Sequence, residues 1–433
     1  MMAILPQFVD RVSHSSPLRS VVVCSQLPVA FRLSLIRQAE EKFYRSRLSS
    51  VSSLSSSDVV LFVTVASELR RLLLSREAEG ASCSGHQCDA PQKNDLAWWE
   101  LLKGKVVATV FFEPSTRTRC SFEAATLRLG GRLISCGDMQ TTSSTKKGES
   151  LEDSVRMFAA YSDAIVLRHP EKGSMERAGE ALDGVRQGRP PRALLSAGDG
   201  AGEHPTQALL DMLTLAQIRP RWWRAQLKII ESGSGSSGGS ETAPGVRDAR
   251  PTDSSLGVAF VGDLKHGRTV HSLAMLLSRF DCHLMAISTE ASALPPAVEA
   301  RVRKNFEAQG LSGEDRLICS SDFIGAIQAA DVLYMTRLQS ERLPEVNAGK
   351  PGQFPPSDYQ LNRALLEKHA RPHLRVMHPL PRREEVAVDV DGTPHCAYFT
   401  QAENGLYMRM ALLAIFLNQK TARMLLGEES RWR

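Results

Sequence analysis

Long apolar runs are missing from this 433-residue chain. No stretch approaches the roughly 20 residues that a membrane-crossing helix needs, so no membrane role is expected. A charge excess is missing too: 53 basic against 48 acidic residues leave a net charge of only +5. That imbalance supplies no basic patch for nucleic acid, and no nucleic-acid partner is expected. An anionic small molecule suits it equally well. The eight cysteines (Cys24, Cys83, Cys88, Cys120, Cys136, Cys282, Cys319 and Cys396) are scattered and form no disulfide framework. Several sit in apolar runs as small hydrophobes, and a reducing compartment is the simplest inference. Cys83, His86 and Cys88 have the spacing that begins a metal site, but no second ligand pair follows, and no metal is expected. A secretory leader, with its charged start, apolar core and small-residue cleavage site, is also lacking.

Acidic residues are scarce at the start. Up to Ala39 there is only Asp10, while Arg11, Arg19, Arg32 and Arg37 punctuate serines and apolar residues. Two readings of residues 1–42 fit: a transit peptide to an organelle, or an appended segment of a cytoplasmic protein with residues 31–43 helical. The cytoplasm is the expected compartment under the second.

What is present centres on residues 111–131, FFEPSTRTRCSFEAATLRLGG. The apolar run 105–112 reads as a buried strand. Pro114 stops it, and Ser115 and Thr116 are N-cap candidates. Phe122, Thr126 and Leu129 then share one helical face, and Gly130 and Gly131 close the helix. A helix N-terminus offers free N–H groups and positive partial charge. Two hydroxyls and the Arg117 guanidinium added there make a phosphate socket. Taken alone, the stretch reads equally well as a capped helix with an exposed basic first turn.

The rest of the chain alternates strands and helices. Strands are expected at 132–136, 164–167, 194–197, 258–261, 283–288, 317–319, 332–335 and 374–377. Helices are expected at 59–74, 149–161, 204–214, 269–277, 296–309, 322–329, 358–369 and 402–426. Residues 75–94 and 232–255 read as inserts, the second containing SGSGSSGGS. Such alternation implies an α/β fold with parallel sheets covered on both faces, here two doubly wound domains. Ligands of such sheets sit beyond the carboxyl ends of the strands, where Arg168, Arg268, Arg337 and the loop at His378 are expected.

Seven motifs follow in order: STRT at Ser115, KKGE at Lys146, LRHP at Leu167, HPTQ at His204, DLKHGRTVHS at Asp263, TRLQSERL at Thr336 and HPLPR at His378. Together they resemble the aspartate carbamoyltransferase family, from about Phe43 to the C-terminal helix. The resemblance implies transfer of a carbamoyl group from carbamoyl phosphate to aspartate without a cofactor, in pyrimidine synthesis. It places the active site between a carbamoyl phosphate domain (43–206 plus 402–433) and an aspartate domain (207–401), with the last helix packed back on the first. It implies that Ser115, Thr116, Arg117 and Thr118 hold the phosphate, and that Thr118, Arg168 and His204 face the carbonyl oxygen. Gln207 and the backbone carbonyls of Pro379 and Leu380 match the carbamoyl amide's partners. Arg268 matches the residue for the α-carboxylate, and Arg337 and Gln339 those for the side-chain carboxylate. Ser143 and Lys147 match residues donated by the neighbouring subunit of a homotrimer with shared sites.

Each residue alone has a plainer reading. His204 reads as a helix cap, Lys146 and Lys147 as a solvated pair, and Arg337 as a surface arginine. Ornithine carbamoyltransferases share the phosphate half, but place a cysteine where Pro379 stands, and Arg268 with Arg337 favours a dianion. A dead carbamoyl phosphate-binding scaffold is the other alternative, against which the intact STRT and HPTQ stand. Thr145 departs from the residue many relatives carry there, which bears on loop conformation.

Overall fold

The computed structural model describes residues 26–82, 98–139, 148–184, 191–232, 255–337 and 359–427. Among the described residues, ten strands form two sheets. The first contains β1 (Arg47–Leu48), β2 (Val106–Phe111), β3 (Arg132–Gly137), β4 (Ala164–His169) and β5 (Ala193–Asp199), in the order β1-β5-β4-β2-β3. The second contains β6 (Gly257–Val261), β7 (His283–Ile287), β8 (Leu317–Ser320), β9 (Val332–Met335) and β10 (Arg375–Met377), in the order β10-β9-β6-β7-β8. Every pairing is parallel. The central strands are buried from end to end, which is why they read as continuous apolar runs and not as alternating ones.

The α-helices of six or more residues among the described residues are, in chain order, α1 (Val29–Gln38), α2 (Ser56–Ser82), α3 (Thr116–Arg128), α4 (Leu151–Tyr161), α5 (Ser174–Asp183), α6 (Pro205–Ile218) and α7 (Pro220–Glu231), then α8 (Arg268–Leu277), α9 (Pro296–Glu307), α10 (Phe323–Ala329), α11 (Arg363–His369), α12 (Tyr398–Leu417) and α13 (Thr421–Leu426). The expected class, two doubly wound parallel sheets, is the one observed. α12 packs on α2, α3 and α6, so the chain does return to the first domain. α6 sits between the two halves, against α2, α8 and α12, and is buried on nearly every face. Its all-round apolar sequence suits that position.

Several elements differ from expectation, each for a physical reason. α2 continues to Ser82, into the stretch read as an insert: its apolar period stops near Leu74, but strong helix formers follow. α5 and α7 were not anticipated. α5 buries mainly small residues and starts at Gly173 without a side-chain cap, so no start signal marks it. α7 follows a break at Arg219–Pro220 and buries Trp222 and Trp223 against Phe280. The single helix expected over 402–426 is two, parted at Asn418. That side chain donates to the Leu101 carbonyl at 3.0 Å and accepts from the Lys420 N–H, competing with the helix. Ser115 takes the N-cap position of α3, yet its hydroxyl makes no capping hydrogen bond. The helix expected over 31–43 is present as α1 with a π-helical turn (Ala39–Phe43). Leu35 and Ile36 are buried there, and Phe43 packs on Phe62 and Phe416. Residues assigned to the extension thus share the first domain's core.

The strand orders fix where a site can form. In the first sheet the chain places β3 to one side of β2 and then crosses to β4 on the other. In the second it runs β6, β7, β8 and then crosses to β9. The carboxyl ends of β2 and β4, and of β6 and β9, are therefore topological switch points where ligands bind.

Candidate active site

The two switch points face a common cleft of about 500 Å³. From the first come Ser115, Thr116, Arg117 and Thr118 after β2, and Arg168 at the end of β4. From the second come Arg268 after β6 and Arg337 after β9. His204 and Gln207 enter from the start of α6, and Pro379 and Leu380 from the turn after β10. The structure thus brings together eleven of the residues singled out in the sequence. Ser143, Lys147 and Gln339 lie outside the described residues, as do Cys83, His86 and Cys88.

The first turn of α3 points its free N–H groups into this cleft, because Pro114 ends the strand and Thr116 begins the helix. Around it the electrostatics are strongly positive. Burial, and then the charge of Arg337, lower the pKa of Arg117, so two guanidinia oppose each other. Arg168 and Arg268 are both buried. One Glu113 carboxylate oxygen stands 3.2 Å from Arg168 and 3.6 Å from Arg268. These are ion-pair distances without aligned hydrogen bonds, and they link the two domains. Arg168 donates to the Ala197 carbonyl at 3.1 Å, and Arg268 to the Gly200 carbonyl. Between those carbonyls, Gly198 has φ of 126°, and a β-carbon there would lie 3.0 Å from Arg168 and 3.2 Å from Arg268. Only glycine lets the two cations approach that turn.

His204 is fully buried, and its pKa lies well below the ordinary histidine value. Desolvation is the main cause, followed by the charges of Arg268, Arg168 and Arg409. A neutral imidazole among cations is a hydrogen-bond partner rather than a base. Gln207 donates its amide to Asp211, one helical turn further along α6, at 3.0 Å. Leu380 adopts φ of 53°, which costs a non-glycine residue energy. His378 supports it: its Nδ1 accepts the Leu380 N–H at 2.8 Å, and its Nε2 meets Glu385 at 2.8 Å.

Sequence reasoning missed four residues of this region: Glu113, Asp211, Gln401 and Arg409. Glu113 lay in plain view beside the STRT motif. Asp211 and Arg409 are single polar letters in apolar stretches, and Gln401 sits among polar residues near the start of α12. Arg409 is 3% exposed, lines the cleft and lies 5.2 Å from the centre of the Phe122 ring. Burial pushes its pKa down to about 9. A β-carbon on Gly405 would come within 2.5 Å of it, so the pair G-x-x-x-R was the signal available.

An anion-binding cleft of this design can hold a phosphate at a helix N-terminus and one or two carboxylates at the facing arginines. Comparison with known proteins agrees. Residues 48–217 match the family model described as the carbamoyl-P binding domain of aspartate/ornithine carbamoyltransferase. Residues 254–416 match the Asp/Orn binding domain of the same family. The aspartate carbamoyltransferase catalytic subunit of Vibrio campbellii is 42% identical over 321 residues, 74% of this chain and 87% of the relative. That of Vibrio cholerae is 37% identical over 377 residues, 87% of this chain and 98% of the relative. Aspartate transcarbamoylase of Trypanosoma cruzi with carbamoyl phosphate and aspartate superposes with a TM-score of 0.66 at 31% identity, covering 87% of this chain and 98% of that one. The same enzyme with N-(phosphonacetyl)-L-aspartic acid gives 0.64 at 31% identity, with 87% and 96% covered. With two matched domains, a shared fold and this identity over most of its length, the chain belongs to the aspartate/ornithine carbamoyltransferase family.

Proposed function

We propose that the chain transfers the carbamoyl group of carbamoyl phosphate to the α-amino group of L-aspartate, giving N-carbamoyl-L-aspartate and phosphate for pyrimidine synthesis. The observation that carries this reading is the convergence of Arg117, Arg168, Arg268 and Arg337 with a neutral His204 on one cleft at two facing switch points. Phosphate takes the N-terminus of α3, with Ser115, Thr116, Arg117 and Thr118. The carbamoyl oxygen faces Thr118, Arg168 and His204. Aspartate's α-carboxylate takes Arg268, and its side chain takes Arg337 and Gln339, bidentate forks suiting carboxylates.

The aspartate nitrogen attacks the carbonyl carbon, and the oxygen becomes an oxyanion stabilised by those preformed donors. The C–O bond to phosphate then breaks, and the departing phosphate carries off the amine's proton. Orientation and electrostatics supply the rate, with no strong general base required. The ornithine alternative lacks support here, since Arg337, assigned to the substrate's side-chain carboxylate, would meet a cationic side chain. Product formation from carbamoyl phosphate with aspartate and with ornithine, side by side, tests the reading. Product with aspartate alone is expected, and equal use of ornithine would end it.

The working unit we propose is a cyclic homotrimer in which Ser143 and Lys147 serve the neighbour's site. Support comes from β3, which is the edge strand of its sheet, so the segment after Gly137 leaves from the molecule's flank. Leu127, Met157 and Tyr161, on α3 and α4, are 60%, 45% and 61% exposed and suit a covered surface. The helix at 29–43, which buries Phe31, Leu35, Ile36, Ala39 and Phe43, supports reading those residues as part of the working enzyme rather than as a discarded transit peptide, and we propose the cytoplasm as its compartment.

A further inference from the structure

Beneath the cleft lies a buried carboxylate to which the steps above give no part. Asp211 is fully buried on α6. Its Oδ1 accepts from Gln207 at 3.0 Å and from Gln401 at 2.7 Å, and its Oδ2 accepts from the Tyr334 hydroxyl at 2.9 Å. The three donors come from three separate elements, α6, α12 and β9.

These bonds carry orientational information. The backbone N–H of His378 can only donate, and it donates to the Gln401 side-chain oxygen at 2.8 Å. That turns the Gln401 NH₂ toward Asp211. An ionised carboxylate can only accept, so Gln207 must also present its NH₂ to Asp211. The Gln207 carbonyl oxygen is left as its end toward the cleft. A carbamoyl NH₂ needs acceptors, and this oxygen is one. The Pro379 and Leu380 carbonyls, which follow His378 directly, are the others. Both acceptor sets are therefore tied to one carboxylate, from opposite sides.

We infer that Asp211 is a positioning residue for carbamoyl recognition: its carboxylate orients Gln207 on one side and, through Gln401, the turn at His378 on the other, and so sets selectivity for a carbamoyl over an acyl phosphate. This rests on the proposed contact of Gln207 and the Pro379–Leu380 turn with the carbamoyl amide. Asparagine at position 211 would break the arrangement without changing its shape. It offers one acceptor oxygen to donors that need two, and the clash is relieved when Gln207 turns over and points its NH₂ at the substrate's.

Burial raises the Asp211 carboxyl to about 7, against the three donors and the charge of Arg409. Tyr334, pushed far above its ordinary value by burial and by Asp211, stays protonated and donating. Selectivity in the wild type therefore falls as pH drops through about 7, where the carboxylate gains a proton and ceases to be a pure acceptor.

The test compares dissociation constants of carbamoyl phosphate, acetyl phosphate and inorganic phosphate. Acetyl phosphate has a methyl group where the NH₂ stands. In Asp211→Asn the preference for carbamoyl over acetyl phosphate should fall by about ten-fold or more, with phosphate affinity unchanged, since a misdirected polar group costs a site its hydrogen-bonding selectivity. The pH step in selectivity should vanish as well. If all three ligands weaken alike, Asp211 is merely structural and the inference is wrong. If Gln207→Ala lowers the preference but Asp211→Asn does not, the inference fails while the reading of Gln207 stands. If Gln207→Ala leaves the preference intact, that reading falls and takes the inference with it. Should Asp211→Asn not fold, Gln401→Met keeps the volume and cuts the link to His378, and an unchanged preference there overturns the inference.

Discussion

Burial among three arginines keeps His204 neutral, and this has a consequence at low pH. In the unfolded chain its imidazole takes up a proton near pH 6.5, whereas the folded protein refuses it. The stability His204 contributes is complete above that pH and is lost as pH falls toward the depressed folded value. Melting temperatures measured from pH 8 to 5 should therefore drop more steeply for the wild type than for His204→Gln. Equal slopes would mean that His204 titrates normally. In kinetics, His204→Ala should lower kcat by ~10²–10³-fold, the usual cost of one oxyanion donor. At this scale the sequence was legible where function needs a charge at a strand end. Arg117, Arg168, Arg268 and Arg337 all reach the cleft. It was illegible where a single polar residue is buried by topology. Asp211 in ALLDMLTL and Arg409 in YMRMALL look like the solvated side of a helix. Only the packing of α6 and α12 between other elements buries them.

Among elements, the strands were read well and the helices less so. A parallel strand buried on both faces announces itself as an apolar run, and each expected strand is present within a residue or two. α5 and α7 carry a clear amphipathic period, but α5 opens on Gly173 without a side-chain cap and α7 restarts behind Pro220, so neither shows a conventional start signal. The second insert provides a prediction on this scale. α7 ends at Glu231 and β6 begins at Gly257. Each end is held by its own contacts: Trp222 donates to the Asp281 carbonyl at 2.7 Å, and Gly257 donates to Asp331 at 2.8 Å. Arg219 ties the two ends together, donating to the Ser255 carbonyl at 3.0 Å and pairing with Asp331 at 3.2 Å. The fold on either side thus has its own anchorage, and long insertions cost little closure entropy. Deleting residues 232–239 should leave kcat within a few-fold of wild type and the melting temperature nearly unchanged. Collapse of either would show that the insert is structural.

For the whole molecule, the site within one chain is dense in cations from α3, β4, α8 and the end of β9, while two of the residues singled out, Ser143 and Lys147, belong to the segment that leaves the flanking strand β3. The proposed cyclic trimer would resolve this division, because each of its interfaces is heterologous: every chain would give a segment to one neighbour and receive one from the other. The prediction is made with two crippled variants. Lys147→Ala removes the cation proposed to be donated, and should lose ~10²-fold or more in turnover if Lys147 is a preformed electrostatic donor. Arg337→Ala lacks a fork for aspartate, and removing such a partner costs ~2–5 kcal/mol. Denatured together in equal amounts and refolded, the two chains assort at random. About three quarters of the trimers are then mixed, since closed rings of three leave only two pure combinations. In each mixed ring, one interface brings an intact Lys147 to an intact Arg337. Another joins two defects, and the third carries one. About one site in three per mixed ring is restored, and so about one in four overall, in either arrangement of the ring. Activity of the mixture should rise to about a quarter of the wild-type value although neither parent works. If mass measurement shows that chains have exchanged and activity stays at the parental level, Lys147 serves its own subunit, and the shared site is wrong.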